Sequence, residues 1–78
     1  MTHITPVKMT PTELRIIRKG WHVNQGRAAR SIGLTFRTWN RYELGQLDIP
    51  LWFTVIVELM DEASPERREK ILNGEDLA

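Results

Sequence analysis

The chain has no cysteine among its 78 residues, which excludes a disulfide framework and any thiolate metal site and suits a reducing compartment. Its two histidines, His3 and His22, stand alone, and no cluster with a carboxylate has metal-ligand spacing. No serine lies beside a plausible base and no glycine-rich loop is built to cradle phosphate, so neither catalysis, a cofactor nor a small-molecule ligand is expected. The longest apolar run, Leu51 to Met60, is well short of the roughly 20 residues that span a bilayer. No charged stretch followed by an apolar core opens the chain, so no signal peptide is expected and the expected location is cytoplasmic. Strand candidates are scarce as well. Val55-Ile56-Val57 has strand propensity, but no second strand exists to pair with it, so it reads as helix.

What is present is a segregation of charge. The net charge is only +1. Residues 1–45, however, carry eight basic side chains and two acidic ones, while residues 46–78 carry three basic and eight acidic. Such asymmetry turns a basic half toward a polyanion and keeps the acidic half away from it. A chain this short removes only about 60% of its unfolded surface from water, so it gains from pairing with a second copy.

In chain order, residues 1–9 lack periodicity, contain Pro6, and read as a flexible arm. Thr10-Pro11-Thr12-Glu13 is a helix start: Thr10 caps, Pro11 needs no amide donor at the first position, and Glu13 closes a capping box. That helix runs to about Lys19, with Leu14, Ile17 and Trp21 directed at a core, Arg15 and Lys19 at water, and Gly20 as the break. After a loop over 46–49, Pro50 restarts a helix in its first turn, and Leu51 to Met60 is apolar nearly all round. One small core cannot cover so much apolar surface, so one side is expected to meet another subunit, with Trp52, Phe53, Ile56, Val57 and Met60 as candidates. Pro65 to Leu72 is a thin amphipathic helix closed by Asn73-Gly74, within a C-terminal segment, 63–78, that supports a dimer or packs on its neighbour.

The informative stretch is Asn24 to Gly45, NQGRAARSIGLTFRTWNRYELG. Asn24 is a good N-cap, Ala28, Ala29 and Ile32 share one helical face, and Gly33 can end the helix in the left-handed conformation. Thr35 caps a second helix, 36–43, whose Trp39 and Tyr42 share a buried face, and Gly45 ends it. Small Ala28 and Ala29 allow two helices to cross closely. Phe36, Arg37, Asn40 and Arg41, with Thr35, are left facing outward. This is the pattern of a helix-turn-helix that reads duplex DNA, and Arg37 and Arg41, four apart, suit bidentate contact with guanine. Base or phosphate contact is the favoured reading for both over plain solvated charges, and Phe36 either lies on thymine methyls or folds back on Leu34. Arg27 and Arg30 extend the basic face, and Gly26, unfavourable inside a helix, either permits close approach to a phosphate or signifies nothing.

Across about Thr10 to Met60 the chain resembles the Cro and phage-repressor type of helix-turn-helix, also called xenobiotic-response-element-like. Asn24-Gln25, Ala28-Ala29, Gly33-Leu34-Thr35 and WNRYELG over 39–45 carry the resemblance. It implies an all-α bundle of about five short helices, with the DNA-binding domain over 10–62. It further implies that Thr35, Phe36, Arg37, Asn40 and Arg41 read bases, that Asn24 and Gln25 with Arg27 hold phosphate, and that Arg18 and Glu43 form an internal ion pair. One departure stands out: the loop Gly45-Gln46-Leu47-Asp48 lacks the basic residue often found there, and Asp48 would repel phosphate.

The expected function is a homodimeric transcriptional regulator, a repressor that occludes a promoter by placing two reading helices in major grooves about 34 Å apart on an inverted repeat. The resemblance adds autoregulation and an origin in a mobile element. The alternative is a protein-interaction module, an antitoxin or adaptor, that uses the apolar 51–60 helix.

Overall fold

A computed structural model describes residues 7–74, which form five helices and no strand: α1 (Pro11–Gly20), α2 (Gln25–Ser31), α3 (Phe36–Leu44), α4 (Leu51–Glu62) and α5 (Pro65–Leu72). Residues 1–6 of the expected arm, His3 among them, and the end of the tail lie outside the described residues. α1, α2 and α3 start where the sequence places a cap. At α1 the reciprocal box is complete, with the Glu13 amide donating to Thr10 Oγ1 at 3.1 Å and the Thr10 amide to Glu13 Oε1 at 2.8 Å. Asn24, Thr35 and Ser64 accept from the amides of Arg27, Thr38 and Arg67.

α2 and α3 end alike. The amides of Gly33 and Leu34 return to the carbonyls of Arg30 and Ala29, and those of Gly45 and Gln46 to Tyr42 and Arg41. Both glycines are left-handed, at φ 79° and 74°, where a Cβ would strain the turn. At α1 the reading differs from the structure. Gly20 is the last helical residue rather than the break, and the left-handed position falls on His22 at φ 60°, a conformation histidine tolerates better than most side chains. Pro50 likewise stands just outside α4, as its N-cap, instead of in the first turn.

α2 packs on α3, α1 on α3, and α5 on α2. The centre of the core is aromatic: the Phe53 ring of α4 meets Trp39 edge-on at 5.1 Å and Tyr42 at 4.7 Å. Leu14, Ala28, Ala29, Trp39, Phe53 and Val57 are fully enclosed. Phe53, Val57 and Met60 are therefore core residues and not interface residues, which corrects the expectation for α4. They lie on the core-facing side of α4, whereas Leu51, Trp52, Val55 and Leu59 point outward. The core reaches beyond residues 10–62 at both ends. Met9 is buried and its amide donates to the buried Thr54 hydroxyl at 3.1 Å, while Leu72 closes the same core from α5. At the far end, Trp21 Nε1 donates to Asp61 at 3.0 Å and Arg68 of α5 lies over the Trp21 ring. The same guanidinium donates to carbonyls at the end of α4, which has no basic residue in its own last turn.

The buried Glu43 joins three helices. Arg18 of α1 binds it through two nitrogens, at 2.5 and 3.0 Å, Gln25 of α2 donates at 2.9 Å, and Trp39 of α3 donates at 2.6 Å. Burial pushes the Glu43 carboxyl up, but the hydrogen bonds from Arg18, Gln25 and Trp39 and the Arg18 charge outweigh it and hold the group below its ordinary value of 4.5. The stability this contributes is complete above that ordinary value and is lost as pH falls through the depressed folded value. Denaturant titrations should show Arg18→Ala to cost about 3–5 kcal/mol, because a buried carboxylate loses its counter-charge. A cost near zero would contradict the burial. The same titrations run downward from pH 6 should lose stability below about pH 4.5, and Glu43→Gln should remove much of that acid dependence.

Candidate nucleic-acid interface

α3 has two unlike sides. Trp39, Tyr42 and Glu43 point into the core and fix the helix in rotation. Thr35, Phe36, Arg37 and Arg41 are exposed and Asn40 half-buried on the other side, so the five residues expected to read bases share one outward surface. Phe36 is 55% exposed, which favours the outward alternative over folding back on Leu34. Leu44, 54% exposed, continues the row begun by Arg37 and Arg41.

The ion pairs decide where positive charge remains available. Arg18 and Arg15 converge on Glu43, Arg27 pairs with Glu69 at 3.1 Å, and Lys8 stands 4.0 Å from Asp48 with both side chains solvated. Arg30, Arg37 and Arg41 form no ion pair among the described residues. Of the basic residues over 7–45, Lys19, Arg30, Arg37 and Arg41 are left without an ion pair among the described residues, so α2 and α3 together keep three uncompensated cations, as a polyanion site requires.

The three expected phosphate ligands are rearranged. Asn24 Oδ1 is occupied in capping α2, accepting from the Arg27 amide at 2.8 Å. The Gln25 side chain turns inward to Glu43, which the sequence could not signal because the partner is 18 residues away. Arg27 reaches α5 instead, bonding Glu69 and Asn73, because α5 packs directly on α2. What α2 still offers outward is its first amides, which have no acceptor within the helix, and the guanidinium of Arg30. Arg30 folds back toward Gly26, where an added Cβ would stand 3.3 Å from its Nη1 and 3.5 Å from Asn24 Oδ1. The four-residue spacing of Gly26 and Arg30 was the sequence signal for this contact. Asp48, expected to repel phosphate, faces Lys8, in a solvated pair worth at most about 1 kcal/mol.

Among the described residues, no three His, Asp or Glu side chains gather in a way that could hold a metal ion, and no helix is long and apolar enough to cross a membrane. No protein-family model, curated protein or solved structure matches the chain.

Because the Arg37 and Arg41 side chains are exposed and form no ion pair among the described residues, Arg37→Ala and Arg41→Ala should each leave the unfolding free energy within about 0.5 kcal/mol of the unaltered protein. Trp39→Phe, which keeps the ring but deletes a donor to buried Glu43, should cost about 1–3 kcal/mol by the same denaturant titration. A large loss at Arg37 or Arg41 would mean that the outer face of α3 is structural.

Proposed function

We propose that this protein is a sequence-reading duplex DNA-binding regulator of the helix-turn-helix kind, acting in the cytoplasm as a pair of copies and repressing by occlusion. The observation that carries the reading is the pair of exposed arginines, without an ion pair among the described residues, four residues apart on a helix whose opposite side is locked by Trp39, Tyr42 and Glu43. A rigid helix with a free cationic face suits the major groove, and arginine's planar fork matches guanine O6 and N7. Phe36 adds an exposed apolar surface at the start of the same helix, fitted to a thymine methyl. Arg30 and the first amides of α2 would hold the adjoining phosphate and set the register of α3 on the duplex. Autoregulation and a mobile-element origin rest on the family resemblance alone.

A second reading is a protein-interaction module, an antitoxin or adaptor. It is favoured by the outward apolar residues of α4, of which Trp52 is 51% and Leu59 62% exposed.

Binding selection from random duplex DNA at two salt concentrations separates the readings. The expected result is an enriched inverted repeat. Arg37→Ala or Arg41→Ala should cost about 1–3 kcal/mol and relax preference at particular base pairs. Arg30→Ala should weaken all sequences alike and lower the salt slope by about one. Sequence-blind binding that disappears with salt would overturn the proposal and favour the interaction module.

A further inference from the structure

We propose that Glu69 of α5 is a positioning residue that limits the affinity for duplex DNA, by holding Arg27 away from a backbone phosphate that this side chain could otherwise take. The inference rests on the DNA reading and adds to it a contact inside the chain that weakens binding.

The way Arg27 is held carries the argument. Its Nη2 donates to Glu69 Oε1 at 3.1 Å and also to Asn73 Oδ1. These two acceptors stand four residues apart on one face of α5, and the Asn73 amide closes the helix by donating to the Glu69 carbonyl at 2.9 Å. α5 is itself fixed, because Leu72 is buried in the core and the helix packs directly on α2. Arg27 is therefore gripped by a pair of acceptors on a docked helix. The Lys8–Asp48 pair, by contrast, is longer and more solvated.

This grip leaves a phosphate seat half assembled. Arg27, Arg30, Ser31 and Asn73 border a cleft of about 280 Å³ between α2 and α5. Arg30, one turn beyond Arg27, is exposed and forms no ion pair among the described residues. Arg27 spends only one nitrogen on α5, and a guanidinium has five donors, so the side chain could join Arg30 on a phosphate once Glu69 releases it. The other charges of α5 do not repel a duplex. Glu66 and Lys70, both exposed and four residues apart, offset each other, while Arg67 and Arg68 are cationic. Glu75 and Asp76 lie outside the described residues. The effect of Glu69 is thus local and acts through Arg27.

The test is titration of the selected duplex at two salt concentrations with the full chain and its variants. Glu69→Gln should tighten binding to all sequences alike, about fivefold or more at about 50 mM salt, and steepen the salt slope by about one per bound copy. Arg27→Ala should change the affinity by less than about twofold, because that side chain is not spent on DNA, and adding Glu69→Gln to it should change nothing further. Glu66→Gln makes the same charge change one turn away and should also stay within about twofold. Loss of the exposed pair should move the melting midpoint of Glu69→Gln by no more than about 5 °C, whereas a structural role would lower it further. No tightening by Glu69→Gln would overturn the proposal. So would equal tightening by Glu66→Gln, which would reduce the effect to net charge, or a loss of roughly tenfold in Arg27→Ala, which would put Arg27 on phosphate already. A protein that selects no duplex would sink the DNA reading and this inference together, while one that selects a duplex with unaltered affinity in Glu69→Gln would sink this inference alone.

Discussion

The fold depends on the saturation of one buried carboxylate. An ionised carboxylate offers about four acceptor sites, and at Glu43 four side-chain donors occupy them. Oε2 takes Arg18 Nε and Trp39 Nε1, and Oε1 takes Arg18 Nη2 and Gln25 Nε2. The donors come from three helices, so the charge can be ionised and buried only when all three are in place. Arg15 adds a bond to the Glu43 carbonyl at 3.2 Å from the outside. Contributions from such a set do not add, because each donor lost changes what the remaining ones must satisfy. A glutamine, with one acceptor oxygen, cannot reproduce it.

This junction also shapes the surface. Glu43 belongs to the inward side of α3, and the charge that balances it comes from α1 and not from α3's own arginines. Arg37 and Arg41 consequently stay unspent. Glu69 does the same for Arg27 on the α2 side. The basic half of the sequence is thus only partly basic in space: its inner arginines are neutralised within the fold, and its outer ones lie on α3 and the exposed turn of α2.

Local rules made most of the skeleton legible. Thr10, Asn24, Thr35 and Ser64 cap, Gly33 and Gly45 close, and the 3.6-residue pattern separates Trp39 and Tyr42 from Arg37 and Arg41, because each of these features is decided within a few residues. The phase of α4 was not legible. A helix apolar nearly all round carries no periodic contrast, so Phe53, Val57 and Met60 were indistinguishable from Trp52 until the core was assembled around them. The contacts of Gln25 and Arg27 were not legible for a related reason: their partners, Glu43 and Glu69, are 18 and 42 residues distant. His22 shows the opposite limit, since Gly20 offered the easier left-handed residue and the chain turned two positions later.

Arg68 closes α4 from another helix. Its guanidinium donates to the carbonyls of Met60 and Asp61 while covering Trp21, which is itself bonded to Asp61. A helix capped by its own residues can fray turn by turn, but this one cannot release its last turn until α5 has lifted away. The two helices therefore open as one cooperative unit. The amides over 60–63 then exchange with solvent at the pace of α5 detachment, and the end of α4 behaves with α5 as a single latch.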